Sequence, residues 1–143
     1  MKLAFVFSGG GARGALQVGA LYALLEHGLL PDLVIGVSIG AANATHLALT
    51  GFSKDSLDRL VSVWHLASKA DLLPTNYIWL TVRAMFKRSS RDPSSRLKEF
   101  LITSGIDPEA RFADITKPQL ILVSSDLNTG EPILHGEQPD DKI

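Results

Sequence analysis

A serine between two glycines is the residue of this chain best suited to covalent chemistry. Residues 36–40 read Gly-Val-Ser-Ile-Gly, so that Ser38 stands between an apolar run, 33–35, and an alanine-rich segment, 41–49. The order predicts a strand, a sharp turn that exposes the serine hydroxyl, and a helix whose unpaired N–H groups face it. Ser38 is therefore a candidate nucleophile for acyl transfer. The alternative is a tight turn without chemistry.

A glycine loop lies one predicted helix upstream of this serine. Residues 8–14 read Ser-Gly-Gly-Gly-Ala-Arg-Gly and follow the apolar run 3–7. A strand, helix and strand in this order predict two parallel strands joined by a right-handed crossover, with both loops at the carboxyl edge of the sheet. The loop's N–H groups could then receive the negative oxygen that forms when Ser38 attacks an ester carbonyl. The intervening helix has apolar positions at Leu16, Gly19, Ala20, Ala23 and Leu24.

The same glycines also fit another pattern. Gly9, Gly11 and Gly14 match G-x-G-x-x-G, the dinucleotide fingerprint, which needs an acidic residue at the end of the following strand. Asp32 instead precedes that strand. We therefore predict no nucleotide site. For Gly14, close packing between helix and strand is an open alternative.

The rest of the chain contains further predicted elements. A helix over 53–69 begins at the N-cap Ser53 and shows one apolar face, formed by Leu57, Leu60, Val61 and Trp64. An aromatic-rich stretch, 76–86, is followed by basic residues. This stretch is predicted to form a helix that caps the active site; a helix at a lipid interface is the less favoured alternative. Elements expected beyond it are a helix at 95–103, a buried strand at 119–124 and a partner strand that begins at Ile133.

Composition excludes several function classes. The chain has 143 residues, 45% of them hydrophobic and 20% charged, which is ordinary for one globular domain. A net charge of −1 gives no electrostatic reason to bind nucleic acid, and the absence of cysteine excludes disulfides and thiolate chemistry. No histidine has metal-ligand spacing. Because the run before Ser8 is too short for a signal peptide, we expect a cytoplasmic protein with at most transient membrane contact.

The two motifs together resemble those of the patatin-like phospholipase family. The similarity continues in the Pro-Asp-Leu-Val approach at 31–34, the Arg-Phe-Ala-Asp-Ile segment at 111–115 and the turn at 126–131. It thus runs from the first strand nearly to the last residue. The resemblance implies a three-layer α/β/α fold with a mainly parallel sheet.

The resemblance also implies an activity: a serine acyl hydrolase that cleaves fatty-acyl esters of phospholipids or lysophospholipids with a Ser-Asp dyad. It makes Ser38 the nucleophile and needs no cofactor or metal. Arg13 has two open roles, a positive charge near a phosphate or oxyanion, or an ion pair that holds the loop. The site residues so implied are Ser38, the oxyanion-loop residues Gly9, Gly10, Gly11, Arg13 and Gly14, and the elbow glycines Gly36 and Gly40.

One part of the family pattern is absent. The dyad aspartate of the family lies in an Asp-Gly-Gly or Asp-Gly-Ala motif, and this sequence contains no Asp-Gly. We therefore expect residues 1–143 to be an incomplete patatin-like domain that lacks its carboxyl-terminal part. A catalytically idle fragment, or a lipid-binding or interaction domain on the same scaffold, is the alternative. An internal triad of Ser38, Asp126 and His135 is disfavoured because Asp126 opens a turn, where its carboxylate bonds local backbone.

Overall fold

The computed structural model describes residues 2–69, 98–99, 101–102 and 105–136. The predicted cap at 76–86 lies outside the described residues, as does most of the helix predicted at 95–103.

A four-stranded sheet forms the centre of the described structure. Its strands are β1 (Ala4–Phe7), β2 (Leu33–Val37), β3 (Gln119–Ser125) and β4 (Pro132–His135), which lie side by side in that order. The first three strands are parallel and β4 is antiparallel to β3, which confirms the expected mainly parallel α/β fold. The carboxyl ends of β1, β2 and β3 therefore share one edge.

Three helices pack together over one face of this sheet. They are α1 (Gly14–Glu26), α2 (Ile39–Thr50) and α3 (Lys54–Lys69), and short 3₁₀ turns cover Gly11–Arg13 and Phe112–Asp114. Phe5, Val34 and Leu120 lie opposite one another across the first three strands, and the three helices pack on the face that these side chains form. The helices contribute Leu21, Leu47 and Leu57, each at most 1% exposed, to the same core. None of the described helices combines the length and apolar character needed to cross a membrane.

Most of the apolar positions noted on α1 do not face the core. Leu16 is 75% exposed, whereas Val18 and Leu21 are buried. Gly19, Ala20 and Ala23 are exposed as well, and Leu24 is half-buried. The helix is apolar on nearly every side, so spacing alone could not select the face that meets the core.

The prediction for α3 is confirmed. Leu57 and Leu60 are buried along the predicted stripe. The Ser53 hydroxyl accepts a hydrogen bond from the Ser56 N–H at 3.2 Å, which is the geometry of an N-cap.

A buried histidine joins α2 to α3. The His46 side chain is 6% exposed, and its Nε2 lies 3.0 Å from the Ser56 carbonyl oxygen, to which it donates. Burial lowers the pKa of His46; the Ser56 hydrogen bond opposes this effect and the nearby Arg59 charge adds to it. His46 is therefore held neutral in the folded chain.

We predict that this burial makes stability fall in acid. Below about pH 6.5 the unfolded chain protonates His46 more readily than the folded chain does, so the free energy of unfolding decreases as pH falls from that value. Well above pH 6.5, His46 is neutral in both the folded and the unfolded chain, so its contribution to the free energy of unfolding does not change with pH. Denaturant titrations between pH 5 and 8 should show this loss in the wild type and a smaller one in His46→Gln. The matched control is His65→Gln on exposed α3 surface; an unchanged pH profile in His46→Gln would contradict the prediction.

Candidate active site

Ser38 occupies a strained turn between β2 and α2. Its backbone angles are φ 54° and ψ −128°, which residues with a side chain rarely adopt. The side chain is exposed, and its hydroxyl makes no capping bond to α2. Strain that presents a hydroxyl in this way is the geometry of a nucleophile elbow.

The two elbow glycines allow α2 to begin directly against the sheet. A Cβ atom on Gly36 would lie 2.5 Å from the Gly40 carbonyl oxygen, and one on Gly40 would lie 2.7 Å from the Ser8 carbonyl oxygen. The Cβ atom on Gly40 would also collide with the Phe7 carbonyl. Both neighbours are backbone atoms that cannot rotate away, so any side chain at either position must displace the helix or a strand.

The glycine loop touches the serine, as the motif pair predicts. A Cβ atom on Gly9 would lie 3.2 Å from the Ser38 Cβ and 3.7 Å from its Oγ. Gly10 and Gly11 have φ angles of 156° and 57°, which favour glycine. The loop therefore approaches Ser38 by bare backbone.

The hydrogen bonds of the loop separate free donors from occupied ones. In the part of the chain that the structure describes, the N–H groups of Gly9, Gly10 and Gly11 have no partner. The Arg13 N–H donates to the Gly10 carbonyl at 3.2 Å, and the Gly14 N–H is used in the same turn. Gly9, Gly10 and Gly11 are thus the loop residues whose N–H groups can stabilise an oxyanion.

For Gly14 the structure supports the alternative of close packing. This residue is buried, and a Cβ atom on it would lie 2.7 Å from Cζ2 of Trp64 and 3.0 Å from Cγ1 of Ile39. With its N–H occupied, Gly14 is a packing glycine and not an oxyanion donor.

One of the two roles open to Arg13 finds no support in this geometry. The side chain is exposed at the start of α1, and no described carboxylate lies within ion-pair distance of its guanidinium. Within the described residues no ion pair therefore holds the loop, and the Arg13 side chain is exposed beside Gly10.

Asp126 and His135 do not complete a catalytic triad with Ser38. Oδ1 of Asp126 accepts hydrogen bonds from the N–H groups of Asn128 and Thr129 at 2.7 and 3.2 Å, within its own turn. His135 Nε2 instead lies 2.7 Å from Oγ of Ser124. Among the described side chains, no group of three or more His, Asp or Glu residues is placed to hold a metal ion.

The sequence analysis missed a polar group behind the loop. Asn43 in α2 is 1% exposed and contacts Gln17 and Trp64 through hydrogen bonds. The sequence offered one signal for it: an asparagine within the alanine-rich segment 41–49, which is predicted to pack as a helix. A buried amide in such a helix must find hydrogen-bond partners.

Comparison with known proteins identifies the family of the chain. The sequence profile of the patatin-like phospholipase family matches residues 5–142, and the chain belongs to that family of lipid hydrolases. It is 37% identical over 75 residues to lysophospholipase NTE1 of Mycosarcoma maydis, a match that covers 48% of this chain and 4% of that protein. The lysophospholipase NTE1 of Pyricularia oryzae is 38% identical over 73 residues, covering 46% of this chain and 5% of its own length. The chain thus spans a small part of these relatives.

The close approach at Gly40 generates a stability prediction. Gly40→Ala should lower the free energy of unfolding by about 1–3 kcal/mol, because the methyl group collides with the Phe7 and Ser8 carbonyls. The control is Gly19→Ala in α1, where a Cβ atom meets nothing within 4 Å and should stabilise by about 0.5–1 kcal/mol. Urea titration measures both. Equal effects of the two substitutions would show that the elbow is not tightly packed.

Proposed function

We propose that this chain supplies the nucleophile and the oxyanion loop of a serine hydrolase that cleaves fatty-acyl esters of phospholipids or lysophospholipids. The observation that supports the proposal is the contact between Ser38 and Gly9. Ser38 lies in a strained, exposed turn, and the loop that contains Gly9 has three N–H groups without a partner among the described residues. The names of the similar proteins, lysophospholipases, favour this substrate class.

In the proposed reaction the Ser38 Oγ attacks the ester carbonyl carbon, and its proton passes to the carboxylate of a dyad aspartate, whose Asp-Gly motif residues 1–143 do not contain. The carbonyl electron pair moves onto oxygen, where the N–H groups of Gly9, Gly10 and Gly11 stabilise the charge. The tetrahedral intermediate collapses, and the alcohol leaves with the proton from the aspartic acid. Water, deprotonated by the same carboxylate, then attacks the acyl-serine carbonyl; the fatty acid is released, and the Ser38 oxygen leaves with the proton from the aspartic acid.

The start of α2 supports the same chemistry. Ser38 is the N-cap residue of this twelve-residue helix, and its side chain makes no capping hydrogen bond. The first N–H groups and the positive end of the helix dipole therefore lie beside the serine hydroxyl, where negative charge develops. Such fixed dipoles stabilise the transition state without having to reorient.

A covalent probe tests the nucleophile. A fluorophosphonate should label the wild type at Ser38, because the probe phosphonylates an activated serine hydroxyl, and Ser38→Ala should abolish labelling. Ser124→Ala is the matched control, because Ser124 lies near the carboxyl end of β3 and its hydroxyl bonds a histidine. Mass spectrometry of the labelled peptide identifies the site. An adduct that survives Ser38→Ala but not Ser124→Ala would contradict the proposal. No adduct at all would favour a lipid-binding domain without catalysis.

The unpaired charge of Arg13 leads to a prediction about the head group. We propose that its guanidinium contacts the substrate phosphate, because the side chain is exposed at the site and no described carboxylate neutralises it. Arg13→Gln should raise KM for a lysophospholipid roughly 10-fold, the loss expected for one charge-assisted hydrogen bond. KM for an uncharged nitrophenyl ester should stay within about twofold of the wild type. If kcat for both substrates fell equally, Arg13 would act on the oxyanion instead.

A further inference from the structure

A buried amide connects the glycine loop to all three helices. Asn43 lies in α2, five residues after Ser38, and is 1% exposed. Its Nδ2 donates to the Gly14 carbonyl oxygen at 3.0 Å and to Oε1 of Gln17 at 2.8 Å. Its Oδ1 accepts from the Trp64 indole N–H at 3.0 Å. Every hydrogen of the amide is used, so that Asn43 carries no unsatisfied donor.

The chain of hydrogen bonds continues into the loop. Gln17 lies in the first turn of α1, and its Nε2 donates to the Ser8 carbonyl oxygen at 2.8 Å. The path therefore runs from the α3 indole through two side-chain amides to the first residue of the loop. We call Gln17, Asn43 and Trp64 the amide relay.

The direction of the relay is set at its α3 end. An indole N–H can only donate, so the Asn43 carbonyl oxygen must face Trp64 and its NH₂ group must face the other way. The Gln17 oxygen then has to accept from Asn43, which turns the Gln17 NH₂ group toward the Ser8 carbonyl. The Gly14 and Ser8 carbonyl oxygens, which can only accept, require the same orientation from the other end. Removal of the indole N–H therefore leaves the buried Asn43 oxygen without its donor.

The relay holds both ends of the loop that faces the nucleophile. It bonds the Ser8 carbonyl at the start of the loop and the Gly14 carbonyl at its end. In a trans peptide the C=O and N–H bonds point in opposite directions, so holding the Ser8 oxygen also holds the direction of the Gly9 N–H. Since Gly9 touches Ser38, the relay sets the orientation of a predicted oxyanion donor.

We propose that Gln17, Asn43 and Trp64 are positioning residues that hold the oxyanion loop in register with Ser38 and couple its geometry to α3. The catalytic consequence of this proposal rests on the proposed function, but the effect on the loop does not. Preorganised donors contribute to catalysis only when they are already aimed at the developing charge. Loss of the relay should therefore lower kcat and leave substrate binding nearly unchanged.

The first test measures the loop itself in the full chain. Backbone order parameters for residues 9–11, from ¹⁵N relaxation, should be about 0.85 in the wild type and below about 0.6 in Gln17→Met and Trp64→Phe. The matched control is Tyr22→Phe, which removes a hydrogen bond between α1 and α3, from Tyr22 Oη to Asp58 Oδ1, outside the relay. Order parameters in Gln17→Met and Trp64→Phe that equal those of Tyr22→Phe would overturn the proposal. Substitution of buried Asn43 is avoided because it could unfold the chain.

The second test measures catalysis on a soluble nitrophenyl ester. Gln17→Met and Trp64→Phe should lower kcat roughly 10- to 100-fold, as expected for a misplaced catalytic group, with KM within about twofold. Tyr22→Phe should retain kcat within about twofold. A fall in kcat for Tyr22→Phe as large as for Gln17→Met would reduce the relay to a general effect of stability and overturn the proposal.

A carboxyl variant gives a signature that a structural role would not produce. In Gln17→Glu a carboxylate cannot donate to the Ser8 carbonyl, whereas the protonated acid can, so the kcat of the variant relative to the wild type should rise as pH falls. A ratio that does not change with pH counts against the proposal. If the wild type shows no Ser38-dependent hydrolysis, the proposed function fails, and the order parameters alone decide whether the relay holds the loop.

Discussion

The active-site edge depends on one close approach between backbones. The first turn of α2 rests on the carboxyl ends of β1 and β2, where only hydrogen atoms at Gly36 and Gly40 fit between main-chain oxygens. This contact places the start of a helix, the end of two parallel strands and the exposed serine within one tightly packed region. Since backbone atoms cannot rotate away, the arrangement is rigid in a way that side-chain packing alone would not provide.

Several features of the site follow from that contact. It forces Ser38 into a left-handed conformation, and the surrounding packing carries the cost of that strain. It brings Ser8 against α2, so that Gly9 meets the serine and the Ser8 carbonyl comes within reach of Gln17. The strained serine, the glycine loop and the buried amides behind it are therefore parts of one structure.

The glycines of the loop show why a motif does not assign equal roles to its members. Gly9 brings bare backbone to Ser38 and Gly11 adopts a positive φ, whereas Gly14 makes room for the Trp64 ring and uses its N–H in a 3₁₀ turn. Both needs select glycine, so the sequence pattern alone cannot distinguish them. The relation becomes visible only once α3 is in place, because Trp64 lies fifty residues further along the chain.

The sequence by itself determined three features: the parallel pairing of β1 and β2, the sharp turn at Ser38 and the helix N-cap at Ser53. Each depends on patterns among residues that are close together in the chain. It did not determine which side of α1 is buried, because that helix is apolar nearly all round and the sheet selects Val18 and Leu21. Nor did it reveal that Asn43 joins Gln17 to Trp64. Those hydrogen bonds connect three separate helices, and only tertiary packing decides which buried polar groups meet.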